Sequence, residues 1–138
     1  MEEILNNYES YFAKFVRGSI LSQVTNAIPE KKGVYLLYSI SNIGKKQLVY
    51  IGKAGTLIQE GTWKKQGLYG RLNAIRDGMR SQQYFENKIR LNQLAGIEID
   101  ARVTFDDNHK DIPGFVEAKL LKMYHSEYGM LPLWNKTF

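Results

Sequence analysis

The chain has 138 residues, enough for one domain with a core and too few for two, and its 43% hydrophobic and 24% charged fractions exclude a disordered or fibrous protein. Without cysteine there is neither a disulfide framework nor a thiolate zinc site, and two histidines do not build a histidine cage, so any metal must be held mainly by oxygen. No apolar run approaches the roughly 20 residues of a membrane span, and the opening Met1-Glu2-Glu3 lacks the basic start of a secretory signal; the expectation is a cytoplasmic protein with no membrane partner.

The net charge of +5 is unevenly distributed: between Lys45 and Arg90, ten Lys and Arg stand against three acids, Glu60, Asp77 and Glu86, so that stretch alone carries +7. Such a concentration suits a phosphate backbone, where each neutralised phosphate releases counterions. On charge alone, a solvated surface is the commoner explanation.

In chain order, Ile4, Leu5, Tyr8, Phe12, Phe15 and Val16 recur at helical spacing with Gly18 as a stop, which predicts an amphipathic helix over residues 2–17. Ser19 to Lys32 reads as an irregular connection around Pro29. Val34–Ile40 and Gln47–Gly52 are β-branched and aromatic runs parted by Ser41-Asn42-Ile43-Gly44, a hairpin. Closing it with Ile40 opposite Lys45 around a four-residue loop sets Tyr35 directly across from Tyr50, rings on one face; a loop of two residues keeps them together, whereas three or five separates them. A Gly- and Lys-rich loop from Lys53 to Gly67 follows, carrying Trp63. Leu68–Met79 and Gln82–Leu94 read as helices. Ile97, Ile99, Ala101, Val103 and Phe105 alternate with Glu98, Asp100, Arg102 and Thr104, the period of a strand with one wet face. Gly114–Tyr128 is a last helix, stopped by Gly129. The expected fold is α+β, a small three-stranded antiparallel sheet flanked by helices, with an extra N-terminal helix.

The oddest residue is Glu117. At about 100° per residue, Leu120, Leu121, Tyr124 and Tyr128 all fall near it on the last helix, so a carboxylate sits within the apolar stripe. An unpaired charge there requires a cation, a metal or an arginine, or it protonates. A structural salt bridge satisfies the same demand.

Gly33-Val34-Tyr35 on the first strand of the hairpin and Tyr50-Ile51-Gly52 on the second resemble the two halves of the GIY-YIG nuclease signature. Lys53-Ala54 resembles the family's lysine-containing continuation, Gly70-Arg71-Leu72 its arginine, Glu117 its helix carboxylate and Leu133-Trp134-Asn135 its C-terminal asparagine. The match runs from Gly33 to Asn135 in the family's order, which makes residues 33–135 a motif-bearing core and residues 1–32 an N-terminal helical extension of a single domain, 1–138.

What the resemblance implies is a metal-dependent endonuclease that hydrolyses phosphodiester bonds in DNA with water as nucleophile, as a monomer or homodimer on double-stranded DNA. A single magnesium or manganese ion would be held by Glu117. Tyr35 would be the general base and Tyr50 would orient water or phosphate. A free tyrosine ionises near pH 10, so Tyr35 needs positive charge beside it, which Lys53 or Arg71 would supply. Arg71 would also stabilise the charge that accumulates on phosphate, and Asn135 completes the catalytic set. Trp63, Lys64, Lys65, Arg76 and Arg80 are the candidate nucleic-acid contacts, with Trp63 stacking on a base or else pinning its own loop. Taken singly, Tyr35 and Tyr50 are sheet-packing aromatics, Arg71 a surface residue and Asn135 a cap. Gly33 and Gly52 mark a close backbone approach or a plain turn or bulge. The sequence departs from the family in a longer Lys53–Gly67 loop and in Ile75, where some members carry histidine; His109 and His125 read as surface residues. The rival reading is a non-catalytic nucleic-acid-binding module of the same fold.

Overall fold

The computed structural model describes residues 1–64 and 66–138. Along the chain the elements are α1 (Glu2–Leu5), β1 (Ser10–Phe15), α2 (Leu21–Val24), β2 (Lys32–Ser41), β3 (Lys46–Ala54), β4 (Thr56–Leu57), β5 (Trp63–Lys64), α3 (Leu68–Leu72), β6 (Ile75–Arg76), β7 (Met79–Arg80), α4 (Ser81–Asn92), β8 (Leu94–Phe105) and α5 (Pro113–Tyr128). The class is α+β. Four long strands form one antiparallel sheet in the order β1-β8-β2-β3, with β4–β5 and β6–β7 as separate two-stranded hairpins.

Residues 2–17 are not the expected helix, and the sheet has four strands rather than three. One turn of α1 gives way to β1, which pairs with β8 from Ser10 opposite Arg102 to Phe15 opposite Ile97. The aromatic run that fits a helical period also fits a period of two: Ala13 and Phe15 are buried, while Phe12 and Val16, expected on the inner face of a helix, are 58% and 38% exposed. Pairing with the long β8 satisfies the backbone of Ser10–Phe15 and buries Phe15 completely, and these tertiary gains override a marginal local period. The N-terminal segment is therefore part of the core, not a helical appendage.

The sheet carries a core on each face. On one, Phe15, Tyr35, Leu37, Ile97 and Ile99 pack with Leu68 and Leu72 of α3 and Phe85 and Ile89 of α4. On the other, Val34, Leu36 and Ile51 pack with Leu5, Tyr8 and the α5 residues Val116, Leu120 and Leu121. The polar face of β8 is roofed by α1 rather than wet. Arg102 pairs with Asp100 at 2.8 Å and donates from Nη1 to the carbonyls of Leu5 (2.9 Å) and Tyr8 (3.0 Å), the Leu5 oxygen also accepting from the Tyr8 N–H at 3.0 Å.

The expected helix over 68–79 stops at Leu72. Asp77 and Gly78, both at positive φ (48° and 75°), make the two-residue turn of the β6–β7 hairpin, with Arg76 opposite Met79 and Ile75 opposite Arg80. An Asp-Gly pair favours this tight reversal strongly enough to break a helical pattern. It also sends neighbouring side chains opposite ways: Ile75 is 69% exposed and Arg76 only 7%. The helix expected at 82–94 runs Ser81–Asn92, and α5 runs Pro113–Tyr128 with Gly129 at φ 71° as its stop. Among the described residues no helix is long and apolar enough to cross a membrane.

Candidate active site

The β2–β3 hairpin turns through Ser41–Lys45, with the N–H of Ser41 donating to the Lys45 carbonyl and Gly44 at φ 82°, and Ile40 stands opposite Lys46. That odd-length turn, unlike the four-residue loop expected, would by itself put Tyr35 and Tyr50 on opposite faces. A bulge between Leu37 and Tyr38 shifts the register by one residue, so that Leu37 faces Tyr50 and Tyr35 faces Gly52. The rings therefore share a face after all. Their centroids are 5.9 Å apart at an interplanar angle of 27°.

Gly52 is what allows this. A Cβ there would meet Tyr35 Cζ at 2.5 Å, the Tyr35 hydroxyl at 2.6 Å and Tyr50 Cε1 at 2.7 Å, so the Tyr35 ring lies directly over the bare backbone of its cross-strand partner. Gly33 is equally constrained, since a Cβ would stand 1.9 Å from the Arg102 carbonyl oxygen of β8. Both glycines mark close approach.

A cleft of about 1080 Å³ opens at this end of the hairpin, and Tyr35, Tyr50, Lys53, Arg71, Arg80 and Glu117 all line it. Six of the eleven residues singled out from the sequence thus converge. They arrive from separate elements: the tyrosines and Lys53 from adjacent strands, Arg71 from α3, Arg80 from β7 and Glu117 from α5. Glu117 is partly buried, and desolvation raises its pKa above the ordinary carboxylate range while Lys53 and Arg71 pull it down. Among the described residues no cation lies within the 4.0 Å of an ion pair with Glu117. A carboxylate in this setting can accept a hard cation from the cleft. No group of three His, Cys, Asp or Glu side chains gathers among the described residues, so an ion at Glu117 would take its other ligands from water and substrate oxygens.

Arg76, expected from the sequence to contact nucleic acid, is buried rather than on the open surface. Its guanidinium lies beneath the tyrosines, 5.2 Å from the Tyr35 ring centre and 5.6 Å from that of Tyr50. Nη2 donates to the Tyr35 hydroxyl oxygen at 2.9 Å and Nε to Ser81 Oγ at 3.1 Å. The cation in direct contact with the Tyr35 hydroxyl is Arg76, not Lys53 or Arg71. The sequence signal was the turn dipeptide Asp77-Gly78, which folds the residue before it back under the sheet. Tyr50, pushed up to about 12 by burial and by the neighbouring Tyr35, with Arg76 opposing, stays a neutral phenol across the physiological range.

Of the remaining candidates, Asn135, Trp63 and Lys64 fall outside this cleft. The Asn135 amide accepts from the Ile51 N–H (2.9 Å) and donates to the Ile51 carbonyl (3.0 Å), completing the outer edge of β3 as a missing strand would. It borders a second, adjoining cleft. Trp63 packs on Phe105 at 4.8 Å between ring centres, with Lys32 over its ring at 5.4 Å, and pins its hairpin to the end of β8 instead of presenting a face for stacking. Lys64 is exposed and stands opposite Thr56, a lining residue of the first cleft. Lys65 lies outside the described residues. Ile75 forms part of the wall of both clefts. Compared with known proteins, the chain matches no family model, no curated protein and no solved structure.

Proposed function

We propose that this protein is a GIY-YIG-type endonuclease, hydrolysing phosphodiester bonds in DNA with water as the nucleophile. The observation that carries the proposal is the convergence of Tyr35, Tyr50, Lys53, Arg71 and Glu117 in one cleft, the residues that the resemblance selects from widely separated stretches of sequence. The half-buried Glu117, without an ion-pair partner among the described residues, suits a magnesium or manganese ion, which when bound would polarise a phosphate oxygen and offset the charge of the group under attack.

The chain's own residues divide the remaining work. Lys53 and Arg71 draw the scissile phosphate into the cleft, and the planar guanidinium of Arg71 donates to its oxygens as charge builds up. Tyr35 is the base that takes a proton from the attacking water. The Arg76 guanidinium donates and never accepts, so negative charge on the Tyr35 oxygen meets a fixed cation 2.9 Å away. Tyr50, held neutral, donates its O–H to orient water or phosphate. Gly52 and the bulge in β2 hold the two hydroxyls side by side.

A non-catalytic DNA-binding module would share the fold and the basic cleft; the observation in its favour is that no three metal-ligating side chains cluster among the described residues. Supercoiled plasmid incubated with the protein and magnesium or manganese separates the two. Conversion to nicked or linear DNA is the outcome expected of the endonuclease, and a salt-sensitive gel shift without nicking rejects it.

A further inference from the structure

Arg76 has more charge than its neighbours answer. It is 7% exposed, yet among the described residues no carboxylate lies within 4.0 Å of it. Its partners are the hydroxyls of Tyr35 (2.9 Å) and Ser81 (3.1 Å) and the Arg71 carbonyl (3.4 Å), with the rings of Tyr35, Tyr50 and Tyr84 around it. A buried cation without a counter-charge is destabilising by several kcal/mol, and an anion that reaches it recovers that energy. Nε and Nη2 are occupied by these bonds. Nη1 has no hydrogen-bond partner among the described residues, and it is absent from the fully buried, unsatisfied side-chain atoms, so it keeps access to open space.

That space is the second cleft, about 250 Å³, which Arg76 lines together with Arg71, Asp77, Tyr84, Trp134 and Lys136. It runs on from the first, sharing Tyr50 and Arg71 as a common wall. Three cations line it against one acid, Asp77, whose carboxylate holds Lys136 at 3.2 Å on a solvent-exposed rim. The acid thus occupies a lysine that an arriving anion would need, a competition that is weak because both partners are wet.

We propose that the second cleft binds a phosphate, the one next to the scissile phosphate along the same strand, with Arg76 below it, Arg71 beside it and Lys136 at its rim. The proposal rests on the nuclease reading for the phosphate in the first cleft. Gripping two consecutive phosphates fixes the strand's direction across Tyr35 without reading any base, as phosphate contacts do. The ring of Trp134 then flanks the nucleoside between them.

The test is a binding titration that needs no cleavage. A Trp63→Phe background leaves Trp134 as the only tryptophan, and its fluorescence reports on the second cleft. Metal-free protein is titrated with thymidine 3′,5′-bisphosphate, thymidine 5′-monophosphate and inorganic phosphate. The expected result is Trp134 quenching by the bisphosphate with affinity about tenfold above that of either singly phosphorylated probe, the worth of one charge-assisted contact. Lys136→Ala should weaken bisphosphate binding about threefold and Asp77→Asn should strengthen it, with unchanged melting temperatures, as expected for an exposed pair. Equal affinity for bisphosphate and monophosphate, or inorganic phosphate binding as tightly as the bisphosphate, overturns the proposal, as does indifference to both variants. If the bisphosphate preference holds in a protein that never nicks plasmid, the catalytic reading fails alone; nicking without that preference sinks only the second phosphate site.

Discussion

Replacing Gly52 with alanine places a methyl group 2.5 Å from Tyr35 Cζ and 2.7 Å from Tyr50 Cε1. Carbon atoms rest at about 3.5–4.0 Å, so something must retreat by roughly 1 Å. The Tyr35 ring has little room, since it is fully buried, tied to Arg76 at 2.9 Å and stacked on Tyr50 at 5.9 Å. Overpacking of this kind costs about 1–3 kcal/mol, or on the order of 4 °C in melting temperature per kcal/mol for a chain of this length. Under the proposed function the larger effect is expected on cleavage, where displacing Tyr35 by roughly 1 Å should lower the rate about 100-fold. Gly44→Ala is the control. Its φ of 82° makes alanine strained there, but nothing lies within 4 Å, so a stability loss of about 1 kcal/mol without a loss of cleavage is expected. Thermal unfolding followed by circular dichroism and single-turnover plasmid nicking measure both effects. If Gly52→Ala melts and cleaves like the wild type, the Tyr35 ring is not locked against that backbone.

Three further outcomes follow from the geometry. Burial holds the Glu117 pKa above its unfolded value against the pull of Lys53 and Arg71, so its contribution to stability is fully present below the unfolded pKa and lost as pH rises through the folded one. Glu117→Gln should therefore melt higher than the wild type at neutral pH while losing cleavage, and the difference should vanish below the carboxylate range, about pH 4; a lower melting temperature at pH 7 would contradict this. Arg76→Met removes a buried cation that has no carboxylate partner, so stability should be unchanged or higher while cleavage falls about 100-fold, and parallel losses of both would mark Arg76 as merely structural. Phe15→Ala should cost about 3–5 kcal/mol in chemical denaturation, a value that a helical surface segment would not give, and a cost below about 1 kcal/mol would exclude β1 from the core.

The hairpin, β8, α4 and α5 were legible in the sequence because each carries a long, unambiguous hydrophobic period and a recognisable stop, Gly129 at the end of α5 above all. The N-terminal segment was not, because Tyr8, Phe12, Phe15 and Val16 satisfy a helical period while Tyr11, Ala13 and Phe15 satisfy a strand's, and the choice between them is made by β8, some eighty residues away. The helix expected over 68–79 failed for a local reason that the sequence did carry: Asp77-Gly78 is a hairpin turn, and giving it its due would have placed Arg76 and Ile75 on opposite sides. Of the residues read from short motifs, the cleft gathers Tyr35, Tyr50, Lys53, Arg71 and Glu117 but not Asn135. That Arg76 contacts the Tyr35 hydroxyl was not legible, since nothing in a list of basic residues says which one is turned inward. Nor does the sequence disclose that a bulge between Leu37 and Tyr38 corrects an odd-length turn.

Cooperation of Tyr35 and Glu117 at one reacting phosphate is tested most directly by cleavage rates of the wild type, Tyr35→Phe, Glu117→Ala and the double variant, measured on one short duplex with manganese at matched DNA occupancy. Groups that act as a unit are grossly non-additive, so each single change should remove nearly all cleavage and the double variant should be no slower than the worse single one. Losses that multiply in the double variant, or a Glu117→Ala protein that cleaves as fast as the wild type, would contradict it.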